Sequence, residues 1–258
     1  MAEQVPRSTH KFGGASVKDA AAIRRVGQLL SNHLRPEEQA VVVVSAMGKT
    51  TNALEEVWRS PGPEQEGHWG DIVQAHLDVA TELGLDVADR LQSAFEASWQ
   101  EAQSAQREGL AEAAYDAFVS AGELASTTLV ASWCAAQGLD AVWWDVRETV
   151  RTSGPHRHAR VDEAALWDAG ASLREALAAS QVVVTQGFIG RHDSGRTSTL
   201  GREGSDYSAA LLAVAVGAES VTIWKDVPGM MNADPKWHPE AQTVPKVDHA
   251  EALELSYY

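Results

Sequence analysis

One cysteine, Cys134, stands in 258 residues. No intramolecular disulfide and no thiolate-rich metal site can form, which excludes the disulfide scaffolds and points to a reducing compartment. Cations are scarce as well: Lys and Arg number 21 against 36 Asp and Glu, a net charge of −15. Affinity for nucleic acid rests on Lys and Arg neutralising phosphates, so no nucleic-acid partner is expected and any bound phosphate must be met by local positive charge. Long apolar runs are missing too. The densest, Ala40–Val44 and Leu211–Val216, fall far short of the ~20 residues a membrane span needs, and the first ten residues lack an apolar signal core. The chain therefore reads as soluble and cytoplasmic, with no membrane partner. Two nucleotide fingerprints are also absent: there is no G-x-x-x-x-G-K-[ST], and no G-x-G-x-x-G follows a strand-like run.

What is present suffices for a folded protein. Hydrophobic residues make up 44% and charged residues 22%, ordinary for a globular domain and too apolar for disorder. The acidic surplus has two readings, a plain solvated surface or adaptation to high salt, where screening relieves self-repulsion.

Strand-like and helix-like segments alternate, the pattern of an open, mostly parallel α/β sheet. Thr9–Phe12 is a strand ending at Gly13-Gly14; Ser16 and Asp19 stand at capping-box spacing before a helix over Ala20–Leu30. Ala40–Val44 is a continuous apolar run, as a strand buried on both faces requires. Residues 61–106 form a helical insertion with low functional content. A helix over Gly122–Ala136, a strand over Ala141–Asp145 and a polar hairpin or lid over Arg147–Arg160 follow. A helix spans Val161–Ala179, a strand Val182–Thr185, a loop Gln186–Leu200, a helix Tyr207–Val216 and a strand Ser220–Lys225. A Pro-rich loop then leads to a last helix, with Asp248 and Glu251 at capping spacing. There is no internal repeat.

In open α/β sheets ligands bind beyond the carboxyl ends of the strands. Gly13-Gly14 there admits close backbone approach, and Gly201–Gly204 leads into a helix whose free N–H groups favour an anion. Each glycine pair taken singly reads more simply as a plain turn. Six segments together carry more: K-F-G-G-A-S-V at Lys11–Val17, V-V-V-S-A-M-G-K-T-T-N at Val42–Asn52, G-E-L-A-S-T at Gly122–Thr127, T-Q-G-F-I-G at Thr185–Gly190, T-L-G-R-E-G-S-D-Y-S-A-A at Thr199–Ala210 and W-K-D-V-P-G-M-M-N-A-D-P-K at Trp224–Lys236. In sequence and order they resemble the aspartate kinase family, across nearly the whole chain.

The resemblance implies the amino-acid-kinase fold, a three-layer α/β/α sandwich with a mostly parallel central sheet. It implies transfer of the γ-phosphoryl of ATP to the β-carboxylate of L-aspartate, with Mg²⁺ on the phosphates, giving 4-phospho-L-aspartate and ADP, a first step toward lysine, threonine and methionine. That acceptor is already ionised at neutral pH, so no general base is needed; the task is to align two anions and neutralise charge. By resemblance Lys11 stabilises the transferring phosphoryl and Asp206 orients Lys11 and the substrate. Glu123 receives the substrate ammonium, Arg202 grips the α-carboxylate, Ser45 and Thr51 are substrate-side hydroxyls, and Phe188 is an aromatic near the substrate. Gly13, Gly14, Ser16, Gly204 and Ser205 cradle phosphates, while Lys225, Asp226, Met231 and Lys236 lie toward ribose and purine. Plainer readings stand beside these: a surface lysine for Lys11, a helix-start carboxylate for Glu123, an N-cap for Asp206, caps for Ser45 and Thr51, and a core aromatic for Phe188.

Three positions depart from the family pattern: Ala15 for the usual Thr or Ser, Met231 for an aromatic, and Lys236 for Arg, which keeps the charge and loses the bidentate fork. His156 and His158 have no neighbouring acid or cysteine cluster and read as loop residues, and the tryptophans read as core or half-buried surface. The chain ends L-E-L-S-Y-Y, where relatives run on into Gly-Ala-Lys and paired ACT domains. The expectation is one amino-acid-kinase domain over 1–258 without regulatory domains, free of feedback inhibition by lysine or threonine and weaker in nucleotide binding. The resemblance admits a homodimer. Two alternatives remain open: a kinase for another carboxylate such as N-acetylglutamate, which Glu123 disfavours because an acylated amine has no charge to pair, and a catalytically silent ligand-binding fragment.

Overall fold

Ala40–Val44 is wholly buried, and its valines alternate between two cores. Val42 and Val44 pack with Phe12, Ile23, Leu129 and Val130, whereas Val41 and Val43 pack with Leu173, Leu177, Leu212 and Val216. A strand with helices on both faces has no polar side to present, so the run needs no period of two. Burying each such valine contributes about 2 kcal/mol.

This is the centre of a three-layer arrangement seen in a computed structural model that describes residues 5–60, 62–201 and 203–257. In chain order the elements are β1 (Arg7–Phe12), α1 (Ala20–His33), β2 (Gln39–Val44), α2 (Thr50–Arg59), α3 (Gln65–Leu83), α4 (Ala88–Arg107), α5 (Ala111–Ala136), β3 (Ala141–Trp144), β4 (Arg151–Ser153), β5 (Arg160–Val161), α6 (Leu166–Ala169), α7 (Ala171–Ala179), β6 (Val182–Gln186), β7 (Ile189–His192), β8 (Thr197–Thr199), α8 (Gly204–Val216), β9 (Ser220–Trp224) and α9 (His249–Tyr257). The main sheet has the order β3-β6-β2-β1-β9 and is parallel throughout. Helices α1 and α5 cover one face, α7 and α8 the other. All carboxyl ends therefore open on one edge, where Lys11, Ser45 and Gly187 fall.

Several expectations need correction. Gln186–Leu200 is not a loop: β7 and β8 pair antiparallel within a second sheet of order β5-β4-β7-β8, which also takes in the expected hairpin as β4 and β5. Val161–Ala179 is not one helix. Its first residue closes β5, and α6 and α7 are separated at Gly170, where any Cβ would lie 2.6 Å from the Ala215 carbonyl oxygen. The helix expected from Gly122 begins at Ala111, so Glu123 is mid-helix and not a helix-start carboxylate. Ser16 lies in a short 3-10 turn, and Asp19 itself is the N-cap of α1, its side chain accepting the Ala22 amide at 2.7 Å. Asp206 is no N-cap either, since Glu203 holds that position. The last helix does carry a reciprocal cap, Asp248 and Glu251 each accepting the other's amide.

Helices α3 and α4 fill the 61–106 region and pack on α5 through Trp69, whose ring lies 4.5 Å from Phe118 and 4.9 Å from Trp99. The chain divides into two compact units, 1–224 and 225–258. Within the second, Met231 bridges Thr243 in antiparallel fashion ahead of α9.

Candidate active site

Lys11 is the next-to-last residue of β1, and burial of the strand carries it to the carboxyl edge with its side chain only 10% exposed. Its Nζ lies 2.6 Å from Asp206 Oδ1, in the first turn of α8. Its burial and its pairing with Asp206 remove the surface-lysine reading. The pair keeps a cation pointing over Gly13, where a Cβ would stand 3.6 Å from Nζ.

Gly14 opens the 3-10 turn after β1 and touches the loop that follows β2: its carbonyl accepts the Gly48 amide at 3.0 Å. A side chain is impossible there, because a Cβ would sit 2.6 Å from the Gly48 oxygen and 2.8 Å from that of Ala46. The same loop supplies Ser45, whose amide donates to the Phe12 carbonyl, and Ala46, whose amide donates to Glu123 Oε1 at 3.3 Å.

Glu123 is the most perturbed acid of the site. Its side chain, on α5, is 3% exposed, and burial pushes its pKa up to about 8, with the Ala46 amide and the Thr51 hydroxyl pulling the other way. Oε2 is buried without a hydrogen-bond partner of ordinary geometry. An orphaned carboxylate oxygen is costly, and an incoming cation would satisfy it. Thr51, in the first turn of α2, thus lies against Glu123, and Ser45 presents its carbonyl to the Ser126 hydroxyl of α5 at 2.8 Å.

Opposite this wall, Gly187 lets the end of β6 reach α8: a Cβ there would be 2.6 Å from that of Ser205. Phe188 follows with φ of +70°, an uncommon conformation for a bulky residue, closed into a γ-turn by the Ile189 amide on the Gly187 carbonyl and pinned by its own amide on Ser208 Oγ. Its ring, half-buried, packs on Gly204 at the start of α8 and on both cores. Strain of this kind persists where the surroundings enforce it.

The fold therefore groups Lys11, Gly13, Gly14, Ser16, Ser45, Thr51, Glu123, Phe188, Gly204, Ser205 and Asp206 at one edge of the first unit. Arg202 lies outside the described residues. Lys225, Asp226, Met231 and Lys236 belong to the second unit, the first two and Lys236 exposed and Met231 half-buried, with the Lys236 amide on Asp234 Oδ1 at 2.8 Å. Sequence reasoning missed Asp116 and Gln186, both fully buried. Gln186 ties β6 to α5 by donating to Thr127 Oγ1 at 2.8 Å while accepting the Val146 amide. An amide ending a buried strand was the available signal.

Fold and site together define an α/β sandwich protein with a buried lysine paired to an aspartate at the carboxyl edge of a parallel sheet. The chain belongs to the amino acid kinase family, whose model matches residues 8–258. It is similar to the lysine-sensitive aspartokinase 3 of Escherichia coli, 35% identical over 256 residues, which cover 96% of this chain and 55% of that protein. The chain thus spans about half the length of that relative, and 31% of the 34%-identical bifunctional aspartokinase/homoserine dehydrogenase 2 of the same organism. Among solved structures, E. coli aspartokinase III in complex with aspartate and ADP superposes with a TM-score of 0.85 at 33% identity, over 97% of this chain and 56% of that one. Isopentenyl phosphate kinase, at 15% identity and a TM-score of 0.57 over 96% of this chain and 83% of that one, shares the fold alone.

Proposed function

We propose that the chain is an aspartate kinase catalytic domain, transferring the γ-phosphoryl of ATP to the β-carboxylate of L-aspartate. The observation that carries the reading is Glu123: a buried acid with an orphaned oxygen, at the same sheet edge as the Lys11–Asp206 pair, selects an acceptor with a free ammonium group. Phosphoryl transfer asks for positioning and charge neutralisation. Lys11 meets the developing charge, Asp206 holds Lys11 in place, and Gly13, Gly14, Ser16, Gly204 and Ser205 line the phosphate path. Thr51, Ser45 and Phe188 shape the acceptor side, with Arg202 on the α-carboxylate. Lys225, Asp226, Met231 and Lys236 are assigned to the nucleoside.

Among the described residues no three His, Cys, Asp or Glu side chains converge as a metal site, so Mg²⁺ fits here as a companion of the nucleotide phosphates, where it supplies charge neutralisation. No helix among the described residues is long and apolar enough to cross a membrane; we place the reaction in the cytoplasm, where ATP and a reduced Cys134 coexist.

The test is ADP release dependent on L-aspartate, with hydroxylamine trapping the acyl phosphate. Turnover with L-aspartate and none with N-acetyl-L-glutamate is expected, and Lys11→Met lowers kcat by about 10²–10³-fold. Turnover with the acetylated acid instead, or ATP binding without turnover of any amino acid, overturns the reading.

A further inference from the structure

Asp116 stands seven residues before Glu123 on α5, two turns away on the same face and about 10 Å along the axis. Its carboxylate is completely buried and lies where three separate pieces of chain meet. Thr199 Oγ1, at the end of β8, donates to Oδ1 at 2.7 Å. The Arg157 amide donates at 2.9 and 3.2 Å to the two oxygens, and His156 Nδ1 is 2.8 Å from Oδ2. Burial alone raises the Asp116 pKa, and these donors oppose the rise. None of its partners belongs to the main sheet.

Two observations show that the arrangement does more than fill a core. Arg157 has φ of +67°, uncommon for a residue with a side chain, and the amide that this conformation presents is the one Asp116 accepts. The turn is further held by the Arg157 guanidinium over the Tyr115 ring at 4.1 Å. Next in the chain, His158 lies against Gly201: a Cβ on Gly201 would stand 2.7 Å from His158 Nδ1. Gly201 is two residues beyond Thr199 and opens the turn into α8, which carries Asp206 and through it Lys11. Asp116 thus holds the end of β8 directly at Thr199 and, through residues 156–158, Gly201 two residues further on.

We infer that Asp116 is a positioning residue that holds the two walls of the acceptor pocket, α5 with Glu123 and the turn into α8 with Asp206, at a fixed separation. It touches no reacting atom. The inference deepens the aspartate kinase reading and rests on it for its kinetic consequence only. Releasing α5 moves Glu123 relative to the Lys11–Asp206 pair and weakens acceptor binding, while Gly13, Gly14 and Lys11 at the end of β1 and Gly204, Ser205 and Asp206 on α8 keep their own contacts.

Asp116→Asn tests this. An asparagine cannot accept on both sides: with its oxygen toward Thr199 it sets an N–H against the Arg157 amide, and in the other orientation it reverses the Thr199 hydrogen bond, so these contacts weaken without a change of shape. Hydrogen exchange, which needs no substrate, is expected to quicken in residues 154–159 and around 199–201 while β1 and β2 keep their protection. KM for L-aspartate rises about tenfold, with kcat and KM for ATP within about threefold of the parent. Thr199→Val removes a single donor without altering shape and covers the case in which Asp116→Asn fails to fold: it quickens exchange around 199–201 and raises the same KM by a smaller factor. The double variant loses less than the sum of the two single losses, because both changes act on one cluster around Asp116. Unchanged exchange in both segments, loss of protection spread over the main sheet, or a fall in kcat at constant KM each overturns the inference. If the parent protein does not turn over L-aspartate, the kinase reading fails and the exchange result alone decides the role of Asp116.

Discussion

Glu123 stores an electrostatic cost that a ligand can release. Its folded pKa of about 8 lies above the ordinary 4.5, so the folded state holds a proton that the unfolded state gives up. The associated stability is fully present below about 4.5 and is lost as pH rises through about 8. Glu123→Gln removes that dependence: denaturant unfolding at pH 9 is expected to show the variant more stable by up to roughly 4 kcal/mol, the gap closing toward pH 4. A parallel pair of stability curves would contradict this. The same proton must leave when an ammonium pairs with the carboxylate, so calorimetry of L-aspartate binding near pH 7 in buffers of different ionisation enthalpy reads release of about one proton, absent in Glu123→Gln. At this scale Lys11, Glu123 and Asp206 were singled out in the sequence through the family motifs that contain them. Asp116 was not, since a lone acid in an alanine-rich helix shows nothing of the Thr199, Arg157 and His156 donors brought to it from 40 to 83 residues away.

Among the elements, the glycine turn after β1 makes two adjacent positions behave oppositely. Gly14 faces two carbonyl oxygens closer than any Cβ tolerates, while Gly13 has extended dihedrals and meets only the end of Lys11. Gly14→Ala is expected to lower unfolding stability by about 2–3 kcal/mol and to spread the loop at Ala46 that supports Glu123. Gly13→Ala costs less than about 1 kcal/mol in the same measurement and reports on phosphate access through activity alone. Equal losses at the two positions would refute the close-approach argument. The main-sheet strands and α1 follow their hydrophobic patterns. The departures are in the second sheet, where β5, β7 and β8 are two to four residues long. Strands so short carry no periodicity of their own, and their polar residues are satisfied by neighbours such as Glu101, which accepts the Thr197 amide and hydroxyl.

Over the whole molecule, a net charge of −15 surrounds a pocket whose buried cation is Lys11. Like charges spread over the surface repel, and salt screens them over a few ångströms. Thermal unfolding is therefore expected to shift upward by about 5 °C between 0.05 and 1 M sodium chloride; a midpoint that does not move returns the acidic surplus to an inert solvated surface. On the proposed reading the same arithmetic makes Lys11 decisive for an anionic ligand, because the bulk field opposes its approach and the local pair with Asp206 must be exchanged for it.

Local information by itself determined the alternation of strands and helices, the doubly buried β2 and the glycine turns, because propensity and hydrophobic pattern act over a few residues. It also held the motif order that places the chain in the amino acid kinase family. Only the tertiary structure decided that Glu123 is mid-helix with an orphaned oxygen, that Phe188 is held at a positive φ, and that Asp116 gathers three segments. Those properties come from desolvation and close backbone approach, which exist only once segments distant in the chain exclude water from one another.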